Sequence, residues 1–87
     1  MEDYPFLVEA VARTLEKLRV DAGLSKRKLA MLSGIDRVYL LQVEQGKYRP
    51  TINFLFLLAR ALGMSATDLL NQIEIEQRAL CAEDQKR

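Results

Sequence analysis

Apolar residues recur at steps of three and four along most of the chain, the spacing that places side chains on one face of an α-helix. The pattern begins near the N-terminus and predicts a first helix from about Pro5, which suits a first helical turn, to about Ala22. No stretch alternates between apolar and polar residues with a period of two, so strands find no support. The residues that define the first apolar stripe are Leu7, Val11, Leu15 and Leu18.

Capping residues and glycines predict two short helices after the first one. Ser25 can cap a second helix that runs to about residue 32, with Gly34 in the turn that follows. Asp36 can cap a third helix that ends near residue 44, where Gly46 stops it in a left-handed conformation.

The same signals predict two further helices. Thr51 can cap a fourth helix whose apolar stripe ends at Gly63, and Ser65 with Asp68 resembles a capping box for a fifth. The polar segment 72–87 either prolongs this fifth helix or frays. We therefore expect an all-α, compact five-helix domain over residues 1–71, with helix one extended at its N-terminus, followed by a C-terminal extension over residues 72–87.

Composition narrows the class of protein. Eighty-seven residues suffice for one hydrophobic core and not for two. No apolar run approaches the roughly 20 residues of a membrane span, and the acidic start lacks the basic region of a signal peptide, so we expect a cytoplasmic protein with no membrane partner. One cysteine and no histidine exclude an internal disulfide and zinc-ligand spacing, and we expect no cofactor or metal. No nucleophile adjoins a base, and the chain is not expected to be an enzyme.

Charge is unevenly distributed along the chain. Residues 13–60 carry ten basic and four acidic side chains, a net charge of +6, whereas the remainder carries three basic and eight acidic ones, a net charge of −5. A basic middle between acidic ends is expected if one face meets phosphate and another does not.

The second and third helices, joined at Gly34, form the arrangement of a helix-turn-helix, whose second helix enters the DNA major groove. Helical geometry gives the third helix two faces. The face expected to point into the core carries Ile35, Tyr39, Leu40 and Val43. The face expected to point outwards carries Arg37, Val38, Leu41, Gln42 and Gln45.

A series of short motifs runs in a fixed order across about residues 14–71. The motifs are Gly23-Leu24-Ser25, Leu29-Ala30, Ser33-Gly34-Ile35, Tyr39-Leu40, Val43-Glu44, Gly46-Lys47, Pro50, Leu58-Ala59, Ala61-Leu62-Gly63 and Leu69-Leu70. This series resembles the XRE, or Cro/phage-repressor-like, family of helix-turn-helix regulators. The resemblance implies a phage-repressor-like fold, usually a homodimer, that binds a short inverted repeat in double-stranded DNA and regulates transcription, for example as a repressor.

Family positions that commonly touch base edges match Arg37, Val38 and Gln42. Arginine can bind O6 and N7 of guanine, glutamine can bind N6 and N7 of adenine, and valine can only pack on a thymine methyl group. Leu41 shares this face and joins the predicted base-contacting set. The family usually has a small polar residue there, so Leu41 makes the face unusually apolar and leaves room for a protein partner.

Phosphate contacts are expected from the start of helix two and the loop after helix three, since both flank a helix in the groove. Lys26 stands where the family usually has glutamine. A hydrogen bond from an amide to a phosphate is thereby replaced by the attraction of a point charge. The resemblance also implies an ion pair, Arg19 with Glu44, that links helices one and three. The predicted phosphate-contacting residues are Ser25, Lys26, Gln45, Lys47 and Arg49.

The sequence leaves open whether the partner is a protein and what covers the outer face of helix four. A protein-interaction module, such as an antitoxin or adaptor, could use the same fold, with the C-terminal tail or the Val38 and Leu41 surface as its binding site. The apolar stretch 52–58, with Phe54 and Phe56, covers more than one face of helix four. One face fills the core, and the other meets either a symmetry mate or the extended helix one.

Overall fold

The computed structural model describes residues 1–86, and the secondary structure within them is entirely α-helical. The five helices confirm the all-α fold expected from the sequence. Their bounds are α1 Leu7–Asp21, α2 Lys26–Ser33, α3 Arg37–Glu44, α4 Ile52–Ala61 and α5 Ala66–Gln85.

Four helices begin at the capping residues that the sequence indicates. The Ser25 side chain accepts the backbone N–H of Lys28, and Asp36 accepts those of Val38 and Tyr39. Thr51 and Ser65 cap α4 and α5 in the same way. Each cap satisfies a backbone donor that would otherwise have no partner at the helix start.

The start of α1 differs from the prediction. Pro5 lies before the helix instead of in its first turn, because Phe6 adopts a left-handed conformation with φ 59° and forms the N-terminal boundary. A left-handed residue turns the chain, so residues 1–5 leave the helix axis and run over the neighbouring helices. Asp3 and Pro5 thereby reach residues far away in the sequence.

The core lies where all five helices meet. Every helix contributes one leucine that is at most 1% exposed, and burial of such a side chain stabilises the fold by about 1.5–3 kcal/mol. Phe54 is buried among them, whereas Phe56 faces outwards. The five leucines are Leu15, Leu29, Leu40, Leu58 and Leu69.

α5 forms a supporting layer with α1, the helix it packs against most extensively. It continues through the polar segment after residue 71 as far as Gln85, because Ile73, Gln77 and Leu80 point inwards at helical spacing and are buried. Helix α5 packs on α1 and α4, whereas α2 and α3 pack on each other, on α4 and on α1, respectively.

Candidate nucleic-acid interface

The turn between α2 and α3 is fixed by local hydrogen bonds. Gly34 has φ 75°, a conformation that favours glycine, and its N–H bonds to the carbonyl of Ala30. The buried Ser33 hydroxyl donates to the same carbonyl at 3.3 Å and accepts the N–H of Ile35 at 3.2 Å. The two helices are therefore held at a defined angle.

The two faces of α3 have the environments expected from the sequence. Leu40 and Val43 are completely buried, and Tyr39 is half-buried. On the opposite face Arg37, Val38 and Gln45 are exposed, while Leu41 and Gln42 are half-buried. The outward face remains open to solvent within the protomer.

An ion pair ties α3 to the end of α1. Nη2 of Arg19 donates to Oε1 of Glu44 at 2.7 Å, and Nε donates to Oε2 at 3.1 Å. The third donor, Nη1, bonds to the carbonyl of Leu24 at 2.8 Å. The side chains are only 13% and 4% exposed, respectively. A forked pair of this kind restricts both distance and orientation between the two helices.

The ion pair keeps Arg19 charged. The hydrogen bond to Glu44 raises the pKa of Arg19, and attraction to Glu44 and Glu16 acts in the same direction, whereas burial opposes it. An arginine with a raised pKa stays protonated throughout the usual pH range, so this link between α1 and α3 does not switch with physiological pH.

Basic side chains surround the outward face of α3 near its N-terminus. Lys26 and Arg27 at the start of α2 border a shallow groove together with Ser25, Arg37 and Leu41. Three of these five residues are cationic, and the start of α2 adds its unpaired backbone N–H groups and dipole. The groove therefore favours a polyanion.

The loop between α3 and α4 provides a second basic area. Lys47 and Arg49 are exposed, and the Tyr39 hydroxyl fixes the loop to α3 by donating to the Arg49 carbonyl at 3.1 Å. The Tyr39 ring packs edge-on against Phe54, with ring centroids 5.3 Å apart, and lies 6.4 Å from the Tyr48 ring. The loop is thus fixed to α3 and to α4 through Tyr39.

Two contacts near this interface were absent from the sequence analysis. Asp3 forms an ion pair with Arg49, and Gln77 donates through Nε2 to the Pro5 carbonyl at 3.0 Å. Each joins residues at least 46 positions apart. Neither contact leaves a periodicity, a motif or a spacing in a single sequence.

Residues 1–86 contain neither a candidate metal site nor a single helix that could span a membrane. This part of the chain has no cluster of three or more His, Cys, Asp or Glu side chains that could hold a metal ion. It also has no single helix that is long and apolar enough to cross a membrane; α4 and α5 pass that test only when joined, although they meet at 106°.

The geometry of α2 and α3 is that of a helix-turn-helix, and comparison with known proteins gives the same class. The helix-turn-helix family model HTH_3 matches residues 15–69. The chain is 35% identical over 60 residues to the uncharacterized HTH-type transcriptional regulator y4dJ of Sinorhizobium fredii, a match that covers 69% of this chain and 78% of the relative.

Two solved structures are also similar to the chain. The clp gene regulator ClgR from Corynebacterium glutamicum has a TM-score of 0.84 and 29% identity, and the match covers 95% of this chain and 88% of ClgR. The restriction-modification controller protein C.Esp1396I, solved as a tetramer in complex with its natural 35 base-pair operator, has a TM-score of 0.75 and 27% identity, with coverage of 84% and 96%.

Helices α2 and α3 are joined by a fixed turn, and the outward face of α3 is open to solvent and bordered by basic side chains. These features define a DNA-binding protein of the helix-turn-helix class. The chain belongs to the XRE-type helix-turn-helix family of transcription regulators.

Proposed function

We propose that this protein regulates transcription by inserting α3 into the major groove of a short palindromic operator. The observation that carries the proposal is the open face of α3, which is bordered by the basic groove at the start of α2 and followed along the chain by the basic loop, while the other face of α3 is buried in the core. Such an arrangement supports a rigid helix that enters the groove while the flanking cations meet the phosphates on either side.

Four side chains on α3 would read the bases. Arg37 and Val38 lie on the first turn, and Leu41 and Gln42 lie one turn later, so polar and apolar side chains stand side by side on the groove face. Arg37 would bind guanine and Gln42 adenine, whereas Val38 and Leu41 would pack on thymine methyl groups.

The sequence-independent part of the affinity would come from phosphate contacts. Ser25 and Lys26 lie at the start of α2, while Gln45, Lys47 and Arg49 lie at the end of α3 and in the loop. All five are exposed, as a phosphate contact requires. Because each neutralised phosphate releases counterions, the affinity should fall steeply with salt.

A homodimer would read the two halves of the operator. Ile52 and Phe56 stand one turn apart on α4, are 68% and 57% exposed, and follow directly after the basic loop. We propose that a second copy packs on this apolar surface; in a dimer that reads half-sites one helical turn apart, the two α3 helices would lie about 34–36 Å from each other. The C.Esp1396I tetramer on its operator supports DNA binding as a multimer.

The role of this α4 surface can be tested with Phe56→Asp. A charge in an apolar interface should dissociate the dimer, as measured by sedimentation equilibrium, and weaken operator binding. Asn53→Asp is the matched control because it adds the same charge to an exposed position on the same helix. A variant Phe56→Asp that sediments like the wild type would show that the dimer, if formed, uses another surface.

DNA is a better partner for the α3 face than a protein. Val38 and Leu41 are apolar, but Lys26, Arg27 and Arg37 stand around them, and an array of cations next to an apolar protein interface would be costly to desolvate. The C-terminal part of α5 is packed on α1, and a protein partner there would have only its outer side to bind, where acidic, basic and apolar residues are mixed. We propose a non-enzymatic, cytoplasmic regulator that needs no cofactor.

The decisive experiment selects bound sequences from random duplexes at two salt concentrations. Wild-type protein should enrich an inverted repeat, and Arg37→Ala should lose the preference at one symmetric pair of positions. Lys26→Ala should weaken binding to all sequences alike. If the wild type enriches no sequence and its binding does not depend on salt, the proposed function is wrong.

A further inference from the structure

The N-terminal segment, residues 1–6, brings an acidic side chain to the loop proposed to contact DNA. The Asp3 carboxylate forms an ion pair with the Arg49 guanidinium, and residues of the segment border a groove together with Arg49 and Pro50. Both paired side chains are about two-thirds exposed, so solvent and other ions reach them. A carboxylate on a guanidinium occupies the place that a phosphate oxygen would take.

The backbone on both sides of this ion pair is anchored. The buried Gln77 side chain donates to the Pro5 carbonyl at 3.0 Å and ties the segment to α5. On the other side, the Tyr39 hydroxyl donates to the Arg49 carbonyl at 3.1 Å and ties the loop to α3. With both carbonyls fixed, exchange of one anion for another requires only rotation of the Arg49 side chain.

We propose that Asp3 competes with DNA phosphate for Arg49 and so lowers the affinity of this protein for DNA. This inference rests on the proposed phosphate contact of Arg49. The segment acts as a built-in competitor: in free protein Arg49 pairs with Asp3, and on DNA it leaves Asp3 and binds a phosphate. Loss of the ion pair is part of the free-energy change of binding.

The exposure of the pair sets the size of the effect. Exposed ion pairs have small coupling free energies, which correspond to about 1.5-fold to fivefold in an equilibrium constant. Two protomers on one operator would multiply this factor. Salt screens exposed pairs, so the effect should shrink as the ionic strength rises.

A double-mutant cycle on DNA affinity tests the proposal. The four proteins are wild type, Asp3→Asn, Arg49→Gln and the double variant, each titrated by fluorescence anisotropy into a labelled duplex of the selected sequence and a random duplex of equal length. Glu2→Gln is the matched control, since it removes the same charge one residue away and Glu2 forms no ion pair within residues 1–86.

The expected result is a specific coupling between Asp3 and Arg49. Asp3→Asn should tighten binding to both duplexes by about 1.5-fold to fivefold per protomer more than Glu2→Gln does, and only when Arg49 is present. Equal effects of the two neutralisations, or the same gain in the Arg49→Gln background, would overturn the inference and leave the proposed function intact. If the wild type binds neither duplex, the proposed function fails and the inference fails with it.

Discussion

Two parts of the molecule are built on different principles: the proposed DNA-facing side, formed by α2, α3 and the loop after α3, and the α1–α5 layer. On the DNA-facing side, α2, α3 and the loop after α3 hold cationic and amide side chains that mostly make no contact with the core. In the α1–α5 layer, the inward side chains are apolar or hydrogen-bonded and buried. Substitutions on the first side should therefore change DNA recognition at constant stability, and those in the second should change stability at constant recognition.

Glu44 should be an exception, because its replacement is expected to change both stability and DNA binding. Its effect on the free energy of unfolding should be the largest of those predicted. Glu44→Ala leaves the largely buried guanidinium of Arg19 without its partner, and we expect the free energy of unfolding to fall by about 3–5 kcal/mol. Urea denaturation followed by circular dichroism measures it. DNA affinity should fall as well, because the link that orients α3 against α1 is lost.

A control separates a stranded charge from lost packing. The double variant Arg19→Met with Glu44→Leu removes both charges and keeps apolar volume, so it should recover much of the lost stability. If the double variant is as unstable as Glu44→Ala, the single substitution acts through packing and not through the uncompensated guanidinium of Arg19.

Leu80→Ala tests the α1–α5 layer by itself. The side chain is 7% exposed and lies within two turns of the end of α5, so we expect a loss of about 2 kcal/mol, at the low end for a buried leucine. Thermal unfolding measures the loss. Below the unfolding transition, the ranking of selected sequences should equal that of the wild type. A changed ranking would mean that the layer influences how α3 docks.

Arg37→Ala is the reverse case on the DNA-facing side. The side chain is exposed, so the melting temperature should stay within about 2–4 °C of the wild type. Discrimination at one base pair per half-site should fall by about 1–3 kcal/mol, as measured by competition between operator and single-substitution duplexes.

Lys26→Ala supplies the contrast: it should reduce the slope of log affinity against log salt by about 0.9 per half-site without changing the ranking of selected sequences.

The same contrast explains how much could be predicted from the sequence. Helix positions, caps at Ser25 and Asp36, and the two faces of α3 follow from local rules that act over three or four residues. The ion pair of Arg19 with Glu44 was expected through the family resemblance, not through spacing. The left-handed conformation of Phe6, by contrast, has no local signal. A proline near a helix start predicts a position in the first helical turn, as was expected of Pro5.

Long-range polar contacts are the part that sequence rules could not supply. The contact of Gln77 with Pro5 spans 72 positions and depends on how α5 packs on α1. The polar segment 72–87 was compatible with a frayed end because its buried apolar residues, Ile73 and Leu80, are sparse, and the buried Gln77 between them gives no apolar signal. The backbone carbonyl of Pro5 accepts a hydrogen bond from Gln77 and thereby explains why this polar side chain is buried.

The smallest expected effect concerns the apolar half of the DNA-facing side. If Val38 and Leu41 pack on thymine methyl groups, replacement of the facing thymine by deoxyuridine removes one methyl group and nothing else from the major groove. Burial of a methylene-sized group contributes about 0.8 kcal/mol, so affinity should fall about fourfold for each methyl lost. Competition binding between thymine and deoxyuridine duplexes measures the change. Val38→Ala should abolish the difference at the position that Val38 contacts, whereas Gln42→Ala should leave it in place. Equal binding of the two duplexes by the wild type would show that the apolar residues of α3 only fill space beside Arg37 and Gln42.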